Sequence, residues 1–105
     1  MRNIKALFVV VNAGFAEKVI EIARAEGAGG ATIINARGEG SNIKKIMGIT
    51  VDSEKEIILS LVDGDTASRI MSVVKNAAGI CSPAHGVCFT LPVDQTTGLS
   101  QLCEQ

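Results

Sequence analysis

The run Glu56-Ile57-Ile58-Leu59-Ser60-Leu61-Val62-Asp63-Gly64-Asp65 changes character in its middle. Residues 56–62 are aliphatic and read as a buried strand. Asp63-Gly64-Asp65 then turns the chain, and either aspartate has the short carboxylate that caps a helix. From there Ala67, Ile70, Val73, Val74 and Ala77 share one helical face, while Arg69, Ser72 and Lys75 point away. Gly79 stops the helix. A strand followed directly by an amphipathic helix is half of a double βαβ unit.

Upstream the same order recurs. Lys5–Val11 is an apolar strand broken by Asn12-Ala13-Gly14. Phe15, Val19, Ile22 and Ala23 then line one helical face, opposite Glu17, Lys18, Glu21 and Arg24, and Gly27 ends the pattern. Ala31–Ala36 is a second strand. Downstream, 80–86 is a structured loop and Val87–Val93 a last strand, whose Pro92 suits an edge or an end. Arg37–Glu54 shows no sustained period and reads as one long loop, mobile when no ligand holds it. The sequence therefore predicts an α+β, ferredoxin-like βαββαβ fold in a single domain over 1–105: a four-stranded antiparallel sheet with two helices on one face.

Such a sheet should alternate apolar and polar along each strand. Here both parities of Lys5–Val11 and of 56–62 are apolar, so an apolar sheet face is left for another copy of the chain to cover. An oligomer is expected, with Leu7 or Leu59 on its interface.

Composition narrows the function. The chain has 105 residues, a net charge of −1, no Trp or Tyr, and three Phe. Neither a basic patch nor stacking aromatics is present for nucleic acid. The apolar run Ala6–Val11 is far shorter than the roughly 20 residues that span a bilayer, and no cleavage site follows it. A cytoplasmic protein that is not membrane-embedded is expected, with its three cysteines as free thiols. No paired carboxylates, nucleophile elbow or cofactor fingerprint points to an enzyme.

Three local patterns carry chemistry. Arg37-Gly38-Glu39-Gly40 follows a strand, where glycines let a ligand approach the backbone and Arg37 offers an anion-binding charge. Lys55, just before the third strand, reaches toward the same place. Lys44-Lys45 is a solvated pair or a contact for a partner. Cys81-x-x-x-His85-x-x-Cys88 has ligand types that suit Zn²⁺ or Cu⁺, with Cys103, an acidic residue or a neighbouring subunit to supply a fourth ligand. A structural loop with a buried Cys88 is the alternative.

Taken in order, three segments resemble the PII signal-transduction family. Gly30–Gly38 is similar to its second strand entering the long T-loop. Val62-Asp63-Gly64-Asp65 with Arg69 is similar to its third strand, acidic turn and second helix. Ala78-Gly79, Gly86, Cys88-Phe89 and Leu91-Pro92-Val93 are similar to its B-loop and last strand. The resemblance covers about residues 4–94, with 37–55 as the T-loop-like and 80–86 as the B-loop-like segment. It implies a homotrimer with inward-facing sheets. It also implies an effector cleft between subunits, built from the T-loop base, the B-loop and the C-terminal segment, where family members bind adenine nucleotides.

On this resemblance the ligand-binding residues are Thr32, near the nucleotide base, with Arg37, Gly38, Lys55, Gly79, His85 and Gly86. The chain departs from the family at the phosphates. Ala84-His85-Gly86-Val87 stands where a Gly-Asp-Gly-Lys-like sequence is usual, and 94–105 holds no Arg or Lys. The usual ATP mode is not expected, and with no Tyr there is no tyrosine uridylylation. The resemblance implies a non-enzymatic regulator. A nucleotide or metabolite would bind it, and its T-loop would act on a transporter or enzyme in nitrogen or related metabolism. The alternative is a trimeric metal-binding protein resembling divalent-cation-tolerance proteins, using Cys81, His85 and Cys88.

Overall fold

The computed structural model describes residues 3–38, 44–46, 49–51 and 54–99, with 44–46 and 49–51 described by their backbone alone. Its elements run β1 (Ile4–Asn12), α1 (Ala16–Ala25), β2 (Thr32–Arg37), β3 (Lys44–Ile46), β4 (Ile49–Val51), β5 (Glu54–Asp63), α2 (Gly64–Ala78) and β6 (Val87–Pro92). The main sheet is four-stranded in the order β2-β5-β1-β6, and all its pairings are antiparallel. The ferredoxin-like α+β fold is what the periods predicted.

The segment between Arg37 and Glu54 departs from expectation. It holds a second, two-stranded ladder in which Lys44–Ile46 pairs with Ile49–Val51. The β-branched residues Ile46, Ile49, Thr50 and Val51 flank Met47-Gly48, a short hairpin signal that a search for sustained periods passes over. The mobility expected of 37–54 and the side chains of Lys44-Lys45 lie outside the described residues, as does Cys103. Strand β5 also begins two residues early, because Arg37 and Glu54 extend the ladder.

Both helices pack on one side of the sheet. Leu7, Val9 and Val11 of β1 and Ile58, Ser60 and Val62 of β5 face them and are buried. The aliphatic ones meet Val19 and Ala23 of α1 and Ala67, Ile70, Val74 and Ala78 of α2 in one core. Each large aliphatic chain placed there contributes about 1.5–3 kcal/mol. Leu7 therefore belongs to the core and not to an interface. The opposite parity, Ala6, Phe8 and Val10 with Leu59 and Leu61, forms the open face. Its register continues onto Val87, Phe89 and Leu91 of β6. Phe8 and Phe89 stack there with ring centroids 5.1 Å apart, and Leu61, Val87 and Leu91 are exposed.

Helix starts are fixed in two ways. Asp63, not Asp65, caps α2, its Oδ1 accepting from the Thr66 amide at 2.8 Å. That bond holds the Asp63 carboxyl below its usual range. Helix α1 has Phe15 at its N-cap, which makes no side-chain capping bond. Glu56 of β5 serves instead: its Oε1 accepts from the Gly14 and Ala16 amides at 3.0 and 3.1 Å. Arg69, which the period alone leaves in solvent, clasps the end of α1. It pairs with Glu26 at 3.4 Å and donates to the Glu26 carbonyl at 3.2 Å.

Candidate functional site

The sheet's register divides the candidate residues between two places. At one end of the sheet β1 finishes at Asn12, β2 at Arg37, and β5 begins at Glu54; Asn12 stands opposite Lys55 and Arg37 opposite Glu54. The 80–86 loop reaches the same end, because the Asn12 amide donates to the Ala84 carbonyl at 2.9 Å. Arg37, Gly38, Lys55, His85 and Gly86 thus gather at this loop end.

Thr32 does not. It pairs with Leu59, at the other end of β2 from Arg37. Five residue steps along the strand separate the two, roughly 17 Å at the usual rise. Thr32 instead lines a cleft of about 590 Å³ with Gly29, Leu61, Asp63, Thr66 and Gly98. The cleft is of ligand size. Ser60 shapes its floor by donating to the Gly30 carbonyl at 2.9 Å, which ties the 27–31 turn to the sheet.

Positive charge at the loop end is lightly held. Arg37 pairs with Glu54 at 3.7 Å, with both side chains mostly in solvent. Such a pair is worth little and yields easily to an anion. Lys55 donates from Nζ to Asn12 Oδ1 at 2.5 Å, and its stem lies against Gly38, where a Cβ would come within 3.1 Å of Lys55 Cε. A side chain at 38 would have to push the lysine stem aside by a few tenths of an ångström.

The 79–86 loop is rigidly built. Gly79 is buried at the end of α2, where a side chain would run into the Lys75 carbonyl. Its own carbonyl accepts from the Ser82 amide and hydroxyl at 2.9 and 2.7 Å. The Gly86 amide donates to the Ala78 carbonyl at 2.8 Å, and a Cβ there would overlap that same oxygen. These two glycines therefore shape the loop, and the Gly86 amide is already engaged within it. His85 is exposed, with a left-handed backbone at φ 50°.

The metal grouping does not form. Cys81 is exposed on the loop, whereas Cys88 lies opposite Val9 on the helix side of the sheet. Burial pushes its thiol pKa up, away from the thiolate that binds metal. Among the described residues no three His, Cys, Asp or Glu side chains are arranged to hold an ion. No helix among them is long and apolar enough to cross a membrane.

Two residues of this end escaped the sequence. Asn12 read only as a strand breaker, and Glu56 only as the first residue of a strand. Both act through partners more than 39 positions away, and no local pattern announces that.

Residues 4–101 match the family model of nitrogen regulatory protein P-II. No curated protein sequence matches the chain. Among solved structures, the chain is similar to a PII-like signalling protein from Thermus thermophilus, with TM-score 0.67 and 22% identity, over 86% of each chain. It is also similar to CPII from Thiomonas intermedia K12, a PII-like protein solved with ADP, AMP and bicarbonate. There the TM-score is 0.69 at 15% identity, over 91% of this chain and 96% of that one. B. subtilis GlnK, solved with ATP, gives 0.66 at 19%, over 87% and 83%.

Proposed function

The chain belongs to the nitrogen regulatory protein P-II family, and from that premise we propose that it is a trimeric, non-enzymatic regulator whose effector binds between neighbouring copies. The loop end of one copy (Arg37, Gly38, Lys55 and His85) faces the Thr32 cleft of the next. The 37–55 segment reports occupancy to a protein target, in nitrogen or related metabolism, inside the cytoplasm.

The observation that carries this reading is the separation of the two half-sites. Among the described residues, the loop end brings the cations Arg37 and Lys55, and the Thr32 cleft has volume and no cation in its lining. Neither suffices alone, and they lie at opposite ends of the same strand. The open apolar face supplies a reason for copies to associate. That relatives of this fold were solved with ADP, AMP, bicarbonate or ATP makes an adenine nucleotide or a small anion the natural effector class.

Charge sets the preference among nucleotides. Val87 replaces the lysine usual at the phosphates, and the tail from 94 has no cation. Each further phosphate adds anionic charge that Arg37 and Lys55 alone must meet. AMP or ADP should therefore bind better than ATP. Titration calorimetry with AMP, ADP, ATP and bicarbonate tests this, supported by thermal shifts, since a ligand selective for the native state raises stability by RT ln(1 + [L]/Kd). Binding of AMP or ADP with ATP weaker is expected. Failure of all four to bind contradicts the reading.

A further inference from the structure

Asn12 joins two segments that the chain brings together from far apart. Lys55 Nζ donates to its Oδ1 at 2.5 Å. Its Nδ2 donates to the Pro83 carbonyl at 2.9 Å, and its main-chain amide donates to the Ala84 carbonyl at 2.9 Å. Only one orientation of the side-chain amide serves both neighbours, with oxygen toward the ammonium and nitrogen toward the carbonyl. The Lys55 stem in turn packs against Gly38. A continuous path thus runs from Gly38, at the root of the 39–53 segment, through Lys55 and Asn12 to the 80–86 loop.

We propose that Asn12 is a positioning residue that couples the root of the 39–53 segment to the 80–86 loop, so that a change at Lys55 alters how firmly that loop is held. The physical basis is polarisation. An ammonium on Oδ1 withdraws charge from the amide and makes its Nδ2–H a better donor to Pro83. When Lys55 leaves, that bond weakens. When the loop shifts, Lys55 loses an oriented acceptor. The side chain sits at a strand end and is only half-buried, so its removal spares the core. The coupling goes beyond the effector reading and stands without it, because it is a property of the unliganded protein.

The test is amide hydrogen exchange on ligand-free protein. The amides of Ser82, His85 and Gly86, which donate to Gly79, Ser82 and Ala78 carbonyls, report the loop; those of Val19 and Ala23 in α1 report global opening. Lys55→Met should raise exchange at the three loop amides by about threefold to tenfold, the range that one net hydrogen bond carries, with the α1 amides unchanged. Asn12→Ala should do the same, and Lys55→Met added to it should have no further effect. Asn12→Asp, which keeps an acceptor for Lys55 but removes the donor to Pro83, should also loosen the loop. The proposal is overturned if Lys55→Met leaves the loop amides unchanged. It is equally overturned if the substitution acts as strongly in the Asn12→Ala background, or raises loop and α1 exchange together.

Discussion

On the helix side of the sheet, Leu7, Val9, Val11 and Ile58 are at most 2% exposed. On the other side Phe8, Val10, Ile57 and Leu59 are only half-buried, and Leu61 at 40% and Phe89 at 44% are exposed. The two faces alternate residue by residue along the same strands and use the same aliphatic types. One face finds its cover inside the chain, in α1 and α2. The other has none among the described residues, although the Phe8–Phe89 stack and the row of Ile57, Leu59 and Leu61 beside it form a surface as apolar as a core. Apolar character alone therefore says that a face will be covered, and the helices decide by what.

The sharpest way to break this comparison is a lysine on each face. Leu7→Lys places an ammonium in the core without a partner and should leave the protein unfolded by circular dichroism. Leu59→Lys should leave a folded protein that light scattering finds as a monomer. A folded Leu7→Lys protein, or an intact trimer in Leu59→Lys, would mean the faces are wrongly assigned. Next in size, Ile58→Ala should cost about 2–5 kcal/mol in denaturant unfolding, from lost burial and the cavity left behind. Gly86→Ala should cost about 1–3 kcal/mol, because its methyl group runs into the Ala78 carbonyl and must push the loop away.

Much of this was legible in the residues. The 56–65 run gives strand, turn and helix because its period changes at Asp63, and the two-faced strands announce a missing partner. Which parity meets the helices was not legible: Leu7 and Phe8 are equally apolar, and only the packed helices distinguish them. The β3–β4 hairpin was hidden by its length of three residues per strand. The candidate site was half legible. Arg37, Gly38, Lys55, His85 and Gly86 were singled out by pattern and family likeness and lie at one end of the sheet, but the position of Thr32 in a separate cleft depends on strand register. Asn12 and Glu56 act on groups distant in sequence, and nothing near them in the chain signals it.

Two smaller effects sharpen the contrast between the faces and their edges. Asp63 has a carboxyl held below its usual range by the Thr66 amide. A depressed folded-state value means its stabilising effect is complete above the usual carboxylate range and fades as pH falls through the lowered value. Asp63→Asn should therefore flatten the acid limb of a stability–pH curve measured by thermal melts. An unchanged limb would remove Asp63 from the account. The thiols should differ as their surroundings do: exposed Cys81 should alkylate quickly, and Cys88, on the covered side with its thiol pushed up, slowly. Equal rates would place Cys88 in solvent.

The central claim is that one effector site needs two copies of the chain. Gly38→Val should block the loop end, by displacing Lys55, and Thr32→Trp should fill the cleft. Calorimetry with AMP or ADP, whichever the wild-type protein binds, reads the result. Each variant alone should bind neither, while trimers reassembled from a mixture of the two should regain part of the wild-type sites, since some clefts then pair an intact loop end with an intact cavity. No recovery in the mixture, or full binding by the dispersed Leu59→Lys monomer, would contradict the account.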